Sequence, residues 1–139
     1  MRLVFRVSKD SRLVIASEAV ETMRALAQSH WWQAEAGGVL LGRHLLDSKD
    51  MVVDEVTTPQ GKDRRSRFSF FRSKQHEAIA RARWKQAGTT MAYLGLWHTH
   101  PQVDPTPSSV DRTDWERALA EDTFEGERLF FPIVGTEVI

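Results

Sequence analysis

Residues 91–111 have the sequence MAYLGLWHTHPQVDPTPSSVD. The apolar run at 91–97 predicts a buried strand, and two histidines, His98 and His100, follow it at positions i and i+2. Alternate residues of a strand point to one face, so both imidazoles can reach a single ion. Asp111 comes eleven residues after His100, in what reads as the first turn of a helix. Two imidazoles and one carboxylate, with a fourth position left for water, are typical ligands of a catalytic zinc ion.

Each part of this pattern also has a simpler interpretation. A histidine at the end of a strand is more often a packed core residue than a ligand. Asp111 is placed to form a capping-box-like turn with Ser108, and the three prolines between the histidines and Ser108 could only mark a loop. Considered together these interpretations weaken, because the whole spacing H-x-H-P-x6-S-x-x-D would have to arise by accident.

The same spacing resembles the signature of the JAMM metalloproteases, also called the JAB/MPN family. The family places a glutamate upstream in an E-x-G-G-x-L-x-G segment, and residues 35–42, EAGGVLLG, match it. The order of elements is similar from about residue 1 to 138. The resemblance implies a three-layer, cytidine deaminase-like fold and a zinc metallo-isopeptidase with one Zn²⁺ per chain.

Two further residues are candidates for catalysis. The resemblance implies that Glu35 is the general acid and base, and its position beside Gly37-Gly38, interpreted as a turn, would let the backbone pass close to the metal. Ser108 could help to hold the carbonyl oxygen as it becomes an oxyanion. The simpler interpretations are a solvated residue at a helix end for Glu35 and a helix N-cap for Ser108. Asp54 and Glu55, on an apolar strand, compete with Glu35 as the base but lack an accompanying glycine pair.

Periodicity along the chain alternates between strand and helix, which predicts an α/β sandwich of three layers around a mixed sheet. Helices are predicted at 18–32, 74–86 and 108–121, and strands at 3–7, 13–16, 39–45, 51–57, 68–71, 91–97 and 129–135. The polar, basic segment 59–67 is predicted to be a mobile loop, because little apolar burial would offset the entropy of ordering it. Trp97 should point away from the ligands, into the core.

Composition limits the function further. The 139 residues predict one domain, 1–139, whose C-terminus is either natural or trimmed. Nineteen basic and nineteen acidic residues balance, so no net charge favours nucleic acid or a membrane surface as partner. There is no cysteine, which excludes thiolate zinc sites and a cysteine nucleophile and suggests a cytoplasmic protein.

The resemblance implies a protein substrate, the C-terminal tail of a ubiquitin-like or similarly conjugated protein. Within the family, the chain is most similar to the deconjugating peptidases of bacterial CBASS antiphage systems. The alternatives are a JAB peptidase that trims a sulfur-carrier protein and a non-catalytic MPN scaffold, although scaffolds typically lose ligands that this chain keeps. A zinc deaminase of related fold would use cysteine ligands, which this chain lacks.

Overall fold

The computed structural model describes all residues from Met1 to Ile139. It contains three helices, α1 Ser17–Ala25, α2 Gln75–Gln86 and α3 Ser109–Glu121. The strands are β1 Leu3–Arg6, β2 Arg12–Ile15, β3 Gly37–His44, β4 Met51–Val56, β5 Arg64–Ser66, β6 Ser69–Phe71, β7 Ala92–Thr99 and β8 Ile133–Val134. None of the helices combines the length and the hydropathy that crossing a membrane requires.

Six strands form one mixed sheet in the order β1-β2-β4-β3-β7-β8. The pairs β2–β4 and β7–β8 are parallel, and the remaining neighbours are antiparallel. The strands β5 and β6 form a separate antiparallel hairpin. The predicted mixed sheet is therefore confirmed.

Helices cover both faces of this sheet. On one face α1 packs through residues such as Met23 against a core that includes Leu40 and Trp97. On the other face a smaller core contains Val39 and Leu96 together with residues of α2 and α3. The three-layer arrangement is confirmed, and the full burial of Trp97 confirms its predicted place in the core.

A bulge in β7 sets which face each later residue of the strand occupies. Leu40 pairs with Gly95 but Leu41 pairs with Tyr93, so Leu94 is an extra residue on β7. Such a residue breaks the strict alternation of faces. As a result Leu96, and His98 after it, point towards the layer that contains α3.

The first helix is shorter than the predicted range 18–32, because it ends at Ala25. Gln28 explains why the helix ends early. The helical pattern of the sequence continues through Gln28, but its side chain is buried, with 2% exposed. Its Nε2 donates to the carbonyls of Gln33 and Arg67, at 3.2 and 2.8 Å, and its Oε1 accepts from the Thr99 hydroxyl. These long-range bonds require an irregular backbone after Ala25, and local periodicity does not reveal them.

The segment 59–67 is not a loop throughout, although its predicted mobility in the absence of substrate stays a prediction. Residues 64–66 form β5 and pair with β6. The Asp63 side chain is fully buried and accepts hydrogen bonds from the backbone of Gln60 and Ser73, with His76 Nε2 at 2.7 Å. Polar contacts, rather than apolar burial, hold the segment in place.

The last strand is also shorter than predicted. Only Ile133–Val134 is a regular strand, and Phe130 adds an isolated bridge to Gly95. Pro132 lies between them and has no N–H to donate, although its carbonyl accepts from His98 N at 3.3 Å.

Candidate metal centre and active site

The three predicted ligands lie together. His98 is near the end of β7, His100 follows that strand, and Asp111 is in the first turn of α3. The two Nε2 atoms of His98 and His100 are 3.0 Å apart. Asp111 Oδ1 is 3.2 Å from His98 Nε2, and its Oδ2 is 3.1 Å from His100 Nε2. One ligand atom from each residue falls within 4.8 Å of the others, so the group could hold one ion.

A capping box holds Asp111 in this position. Ser108 is the N-cap of α3, and its Oγ accepts from Asp111 N at 3.1 Å. In return Asp111 Oδ2 accepts from Ser108 N at 2.8 Å. The capping interpretation of these residues is therefore correct, and it is compatible with the ligand interpretation because the cap aims the carboxylate at the histidines.

The hydrogen bonds of His100 leave the correct nitrogen free for a metal. Its Nδ1 is 3.3 Å from Gln102 Oε1, and Thr106 N donates to the same oxygen. An amide oxygen only accepts, so Nδ1 carries a proton, and Nε2 presents a lone pair whenever the ring is in its neutral form. Contacts of this kind commonly orient metal-binding histidines.

The spacing and charge of the group also suit zinc. Two nitrogens at the usual Zn–N distance on a tetrahedral ion lie about 3.3 Å apart, close to the 3.0 Å between the two Nε2 atoms. Burial lowers the pKa of His98, although Asp111 opposes this, so its ring is neutral near pH 7. Burial would raise the pKa of Asp111, but hydrogen bonds from His100, His98 and Ser108 N outweigh it and hold the pKa well below its usual range. The hydrogen bond to Asp111 raises the pKa of His100 in the metal-free protein, although burial opposes the shift. A metal would displace that proton, because neutral imidazoles and an ionised carboxylate are the forms that bind it.

Glu35 lies beside these ligands and is 4% exposed. Its Oε1 is 3.9 Å from His100 Nε2. Its backbone is fixed by the β5–β6 hairpin, since Glu35 N donates to Ser66 O at 2.8 Å and Arg65 Nε donates to Glu35 O at 2.7 Å. Glu35 is therefore not a solvated residue at a helix end.

The environment of Glu35 changes its acidity. Burial raises the pKa of Glu35 to about 7, although the nearby His100 opposes the shift. A carboxyl group with a pKa near the working pH can both take and give a proton. Its position and acidity suit the predicted role of general acid and base.

The interpretation of Gly37 and Gly38 as a turn is wrong, because they are the first two residues of β3 and pair with His98 and Trp97. A Cβ atom at Gly37 would lie 2.6 Å from Trp97 O, and one at Gly38 would lie 2.2 Å from Thr57 O. No side chain fits at either position. The glycines therefore allow β3 to pack closely against the backbone of Trp97 and Thr57. This close packing brings Glu35 opposite His100.

The competing carboxylates are occupied elsewhere. Asp54 accepts two hydrogen bonds from the Arg43 guanidinium, at 2.8 and 3.0 Å. Glu55 forms an ion pair with Arg83. Both lie on β4, which β3 separates from β7. Neither carboxylate belongs to the group around His98.

Sequence reasoning missed Arg72, which joins three elements of the site. Its Nε donates to Gly38 O and its NH2 donates to Trp97 O, both at 2.9 Å, while NH1 donates to Asp114 at 3.1 Å. The side chain is 13% exposed. Arg72 thus holds together the strand after Glu35, the strand that carries His98, and α3. No local pattern around Arg72 signals these contacts.

Trp115 was also missed, and it forms one wall of the site. Its ring lies 6.3 Å from the His98 ring and stacks on Phe131 at 4.9 Å. Trp115 is four residues after Asp111 on α3, so it occupies the same helix face. That spacing is the one signal that could have identified it.

His76 belongs to a second buried chain of polar groups. Its Nε2 lies 2.7 Å from Asp63 Oδ2 and its Nδ1 lies 2.7 Å from Thr57 Oγ1. The order carboxylate, imidazole, hydroxyl resembles a hydrolytic triad, but Thr57 Oγ1 also accepts from Val39 N inside the core. The polar chain of Asp63, His76 and Thr57 is therefore structural.

Comparisons with known proteins agree with this site. Residues 16–137 match the family described as prokaryotic homologs of the JAB domain. A Pseudomonas aeruginosa protein named CD-NTase/cGAS isopeptidase is 39% identical over 115 residues, which cover 81% of this chain and 72% of that relative. A Vibrio cholerae protein of the same name is 32% identical over 136 residues, covering 97% of this chain and 83% of the relative.

A solved structure shows the same fold. The solution structure of a Desulfitobacterium hafniense protein superposes with a TM-score of 0.56 at 27% identity. The match covers 71% of this chain but 64% of that protein, so this chain spans just under two thirds of its length. With the family match over most of its residues, the three-layer fold and the grouped histidines and aspartate, the chain belongs to the prokaryotic JAB family.

Proposed function

We propose that this protein is a zinc-dependent isopeptidase that cleaves the bond after the C-terminal tail of a conjugated protein. The observation that carries the proposal is the position of the buried Glu35 carboxylate beside the three candidate ligands, with its Oε1 3.9 Å from His100 Nε2. Amide hydrolysis by a metalloprotease requires metal ligands and, beside them, a side chain that transfers protons.

The three ligands would hold one zinc ion, which acts as a Lewis acid and activates water near neutral pH. Glu35 takes a proton from the attacking water as the oxygen bonds to the carbonyl carbon. It then delivers that proton to the leaving nitrogen as the C–N bond breaks. Its raised pKa suits both transfers, because the protonated and ionised forms are both accessible near pH 7.

Ser108 can stabilise the reacting carbonyl without giving up its cap. Its Oγ accepts a hydrogen bond from Asp111 N, which leaves the hydroxyl proton free to be donated. A donor aimed at the developing oxyanion lowers the barrier for acyl transfer. We therefore assign Ser108 both roles.

The substrate would be an extended C-terminal tail that adds as a strand beside the site. Because the relatives are named CD-NTase/cGAS isopeptidases, we propose that the tail belongs to a bacterial CD-NTase conjugated to a target protein, in the cytoplasm and as part of a CBASS antiphage system. A sulfur-carrier protein is the alternative substrate. A non-catalytic scaffold is less favoured, because the complete ligand set is present and lies together.

The test uses two fusions to green fluorescent protein, one of the CD-NTase encoded in the same genome and one of a sulfur-carrier protein from that genome. The zinc-loaded protein should release fluorescent protein from the first fusion at the C-terminal residue of the CD-NTase, as mass spectrometry would show. The variant with both His98→Ala and His100→Ala should lose zinc by elemental analysis and also lose cleavage. The variant Glu35→Gln should keep zinc and be slower by about 10²–10⁴-fold.

Cleavage of the sulfur-carrier fusion alone would reassign the substrate. If neither fusion is cleaved by the zinc-loaded protein, the scaffold alternative gains the stronger support. A full equivalent of zinc in the double histidine variant would contradict the assignment of the ligands.

A further inference from the structure

Three large aromatic side chains are exposed on one side of the molecule. Trp31 is 77% exposed, Trp32 is 65% exposed and Phe68 is 76% exposed. The two tryptophans lie between α1 and β3, and Phe68 is in the turn of the β5–β6 hairpin. We call these three residues, with His30 and Arg67, the aromatic rim.

Contacts among these residues show that the aromatic rim is one surface. The His30 ring stacks on Trp32 with 4.6 Å between centroids, and Trp31 meets Trp32 edge to face at 5.9 Å. Arg67 joins the two segments, because its NH1 donates to His30 O at 3.0 Å and its guanidinium lies 5.7 Å from the centre of the Phe68 ring.

The aromatic rim is attached to the catalytic region through the backbone. Ser66, one residue before Arg67, accepts a hydrogen bond from Glu35 N, and Arg65 donates to Glu35 O. On the other segment, Gln28 joins the chain before the tryptophans to Thr99, between the two ligand histidines. A protein whose tail reaches Glu35 would therefore pass this surface.

Nothing within the fold explains these exposures. Burial of a large aromatic side chain is favourable, yet Trp31 and Trp32 remain mostly exposed even though their rings meet each other and the His30 ring. Tryptophan and arginine are among the residues most enriched where protein interfaces concentrate their binding energy. Their grouping on two segments, each hydrogen bonded near the site, favours an interface over chance.

Charge indicates the chemistry of the occupant. Residues 26–34 contain no acidic residue, and residues 64–68 contain three arginines and no acidic residue. Arg64 is exposed on the hairpin, with its guanidinium 5.4 Å from the centre of the Phe71 ring. The surface is therefore apolar at its centre and cationic at its edge.

We propose that the aromatic rim binds the folded body of the substrate protein, at an apolar patch of that protein bordered by carboxylates. This rests on the proposed isopeptidase function and adds a second point of recognition beside the scissile tail. Two points of contact would let the enzyme select one conjugated protein among many that end in an extended tail.

The experiment compares two substrates that share the same scissile bond. One is the CD-NTase fused to green fluorescent protein, and the other is a short C-terminal peptide of that CD-NTase fused to the same reporter. The variants are Trp31→Ala with Trp32→Ala, Phe68→Ala and Arg64→Glu. Trp84→Ala is the matched control, because Trp84 is 44% exposed but lies on α2, outside the aromatic rim.

For the full fusion, we expect KM to rise at least roughly tenfold in the double tryptophan variant, the usual effect of losing an aromatic hot spot. The values of kcat for both substrates, and KM for the short peptide, should stay near wild type. Arg64→Glu should raise KM for the full fusion and reduce its dependence on salt. Trp84→Ala should behave as wild type.

Unchanged KM for the full fusion in the folded variants would overturn the inference while leaving the proposed function intact. Loss of affinity for a single-stranded oligonucleotide in the same variants, with KM unchanged, would overturn it in favour of nucleic-acid binding. Failure of the wild-type protein to cleave either substrate would instead count against the proposed function.

Discussion

Arg72 donates a hydrogen bond to the carbonyl oxygen of Trp97, the residue immediately before the first candidate ligand, at 2.9 Å. The same guanidinium reaches Gly38 O on the neighbouring strand and Asp114 one turn after Asp111 on α3. Five donors in a rigid, planar fork allow arginine to serve three acceptors in different directions. Arg72 is therefore a positioning residue that fixes the relative placement of Glu35, His98 and Asp111.

Replacement of Arg72 should weaken the metal site without removing a ligand. Arg72→Ala removes the donor of the Gly38 and Trp97 carbonyls, while Asp114 keeps its hydrogen bond from Arg117 at 2.8 Å. The unpaired carbonyls should cost about 2–4 kcal/mol of stability. Zinc affinity should fall roughly 10–100-fold, the usual effect of losing a group that orients ligands. Arg72→Lys keeps the charge but not the fork and should be intermediate.

Urea unfolding and a competition with a zinc chelator would measure these two effects. Arg83→Ala is the control, because it removes an arginine whose partner, Glu55, lies outside the site. Wild-type zinc affinity in a stably folded Arg72→Ala protein would show that Arg72 has no positioning role.

The acidity of Glu35 leads to a prediction about the metal-free protein. Burial raises its folded pKa to about 7, whereas an exposed glutamate titrates near 4.5. The stability linked to the protonated group is fully present below the unfolded pKa and is lost as pH rises through the folded pKa. Glu35→Gln removes this dependence, so its advantage over wild type should grow by about 2 kcal/mol between about pH 5 and about pH 8.

Denaturant unfolding of both proteins in a chelating buffer, at the two pH values, measures that difference. Glu55→Gln is a suitable control, since Glu55 lies on β4, the neighbour of β3, and pairs with Arg83. An advantage of Glu35→Gln that stays constant with pH would mean that Glu35 is not a buried carboxylate with raised pKa.

The candidate site could be predicted more completely than the fold around it. His98 and His100 share one strand end and Asp111 shares a turn with Ser108, so short-range spacing already describes them. Gln28 and Arg72 act through partners between 5 and 71 residues away. Most of those contacts form between elements that are distant in the sequence, which local periodicity does not record. The early end of α1 and the fixed hairpin follow from such contacts.

Ser108 gives a prediction that separates capping from catalysis. Ser108→Ala removes the side-chain half of the capping box and should cost about 1 kcal/mol of stability. If Ser108 also donates to the reacting carbonyl, kcat should fall even when zinc is saturating. We expect the loss of rate to be smaller than in Glu35→Gln and in His98→Ala.

The measurement is kcat at increasing zinc concentrations, with Ser109→Ala as the control. Ser109 is the next residue and is exposed, and it takes part in hydrogen bonding through its backbone carbonyl, which accepts from Thr113 Oγ1, and not through its side chain. Full recovery of kcat at high zinc would show that Ser108 only caps α3 and positions Asp111, and that it does not act on the reacting carbonyl.

Replacement of Gly95 tests whether the bulge in β7 turns the side chains of His98 and His100 towards Asp111. Its φ is +149°, and a Cβ atom there would lie 1.8 Å from Phe130 O on the neighbouring segment. Leu96 N donates to that same oxygen at 3.0 Å, so the contact cannot open without breaking the pairing of β7 with the chain before β8. Gly95→Ala should therefore destabilise the protein by at least about 3 kcal/mol.

Gly95→Ala should also abolish zinc binding, because the bulge determines that His98 and His100 face α3. Gly61→Ala is the matched control, since a Cβ atom at Gly61 meets nothing within 4 Å. Thermal unfolding and zinc content measured together distinguish the outcomes. If Gly95→Ala unfolds earlier but still binds zinc at low temperature, the glycine serves the packing of β7 against Phe130 and the orientation of the ligands does not depend on it. If both properties are unchanged, the bulge tolerates a side chain, and another contact must turn the histidines towards Asp111.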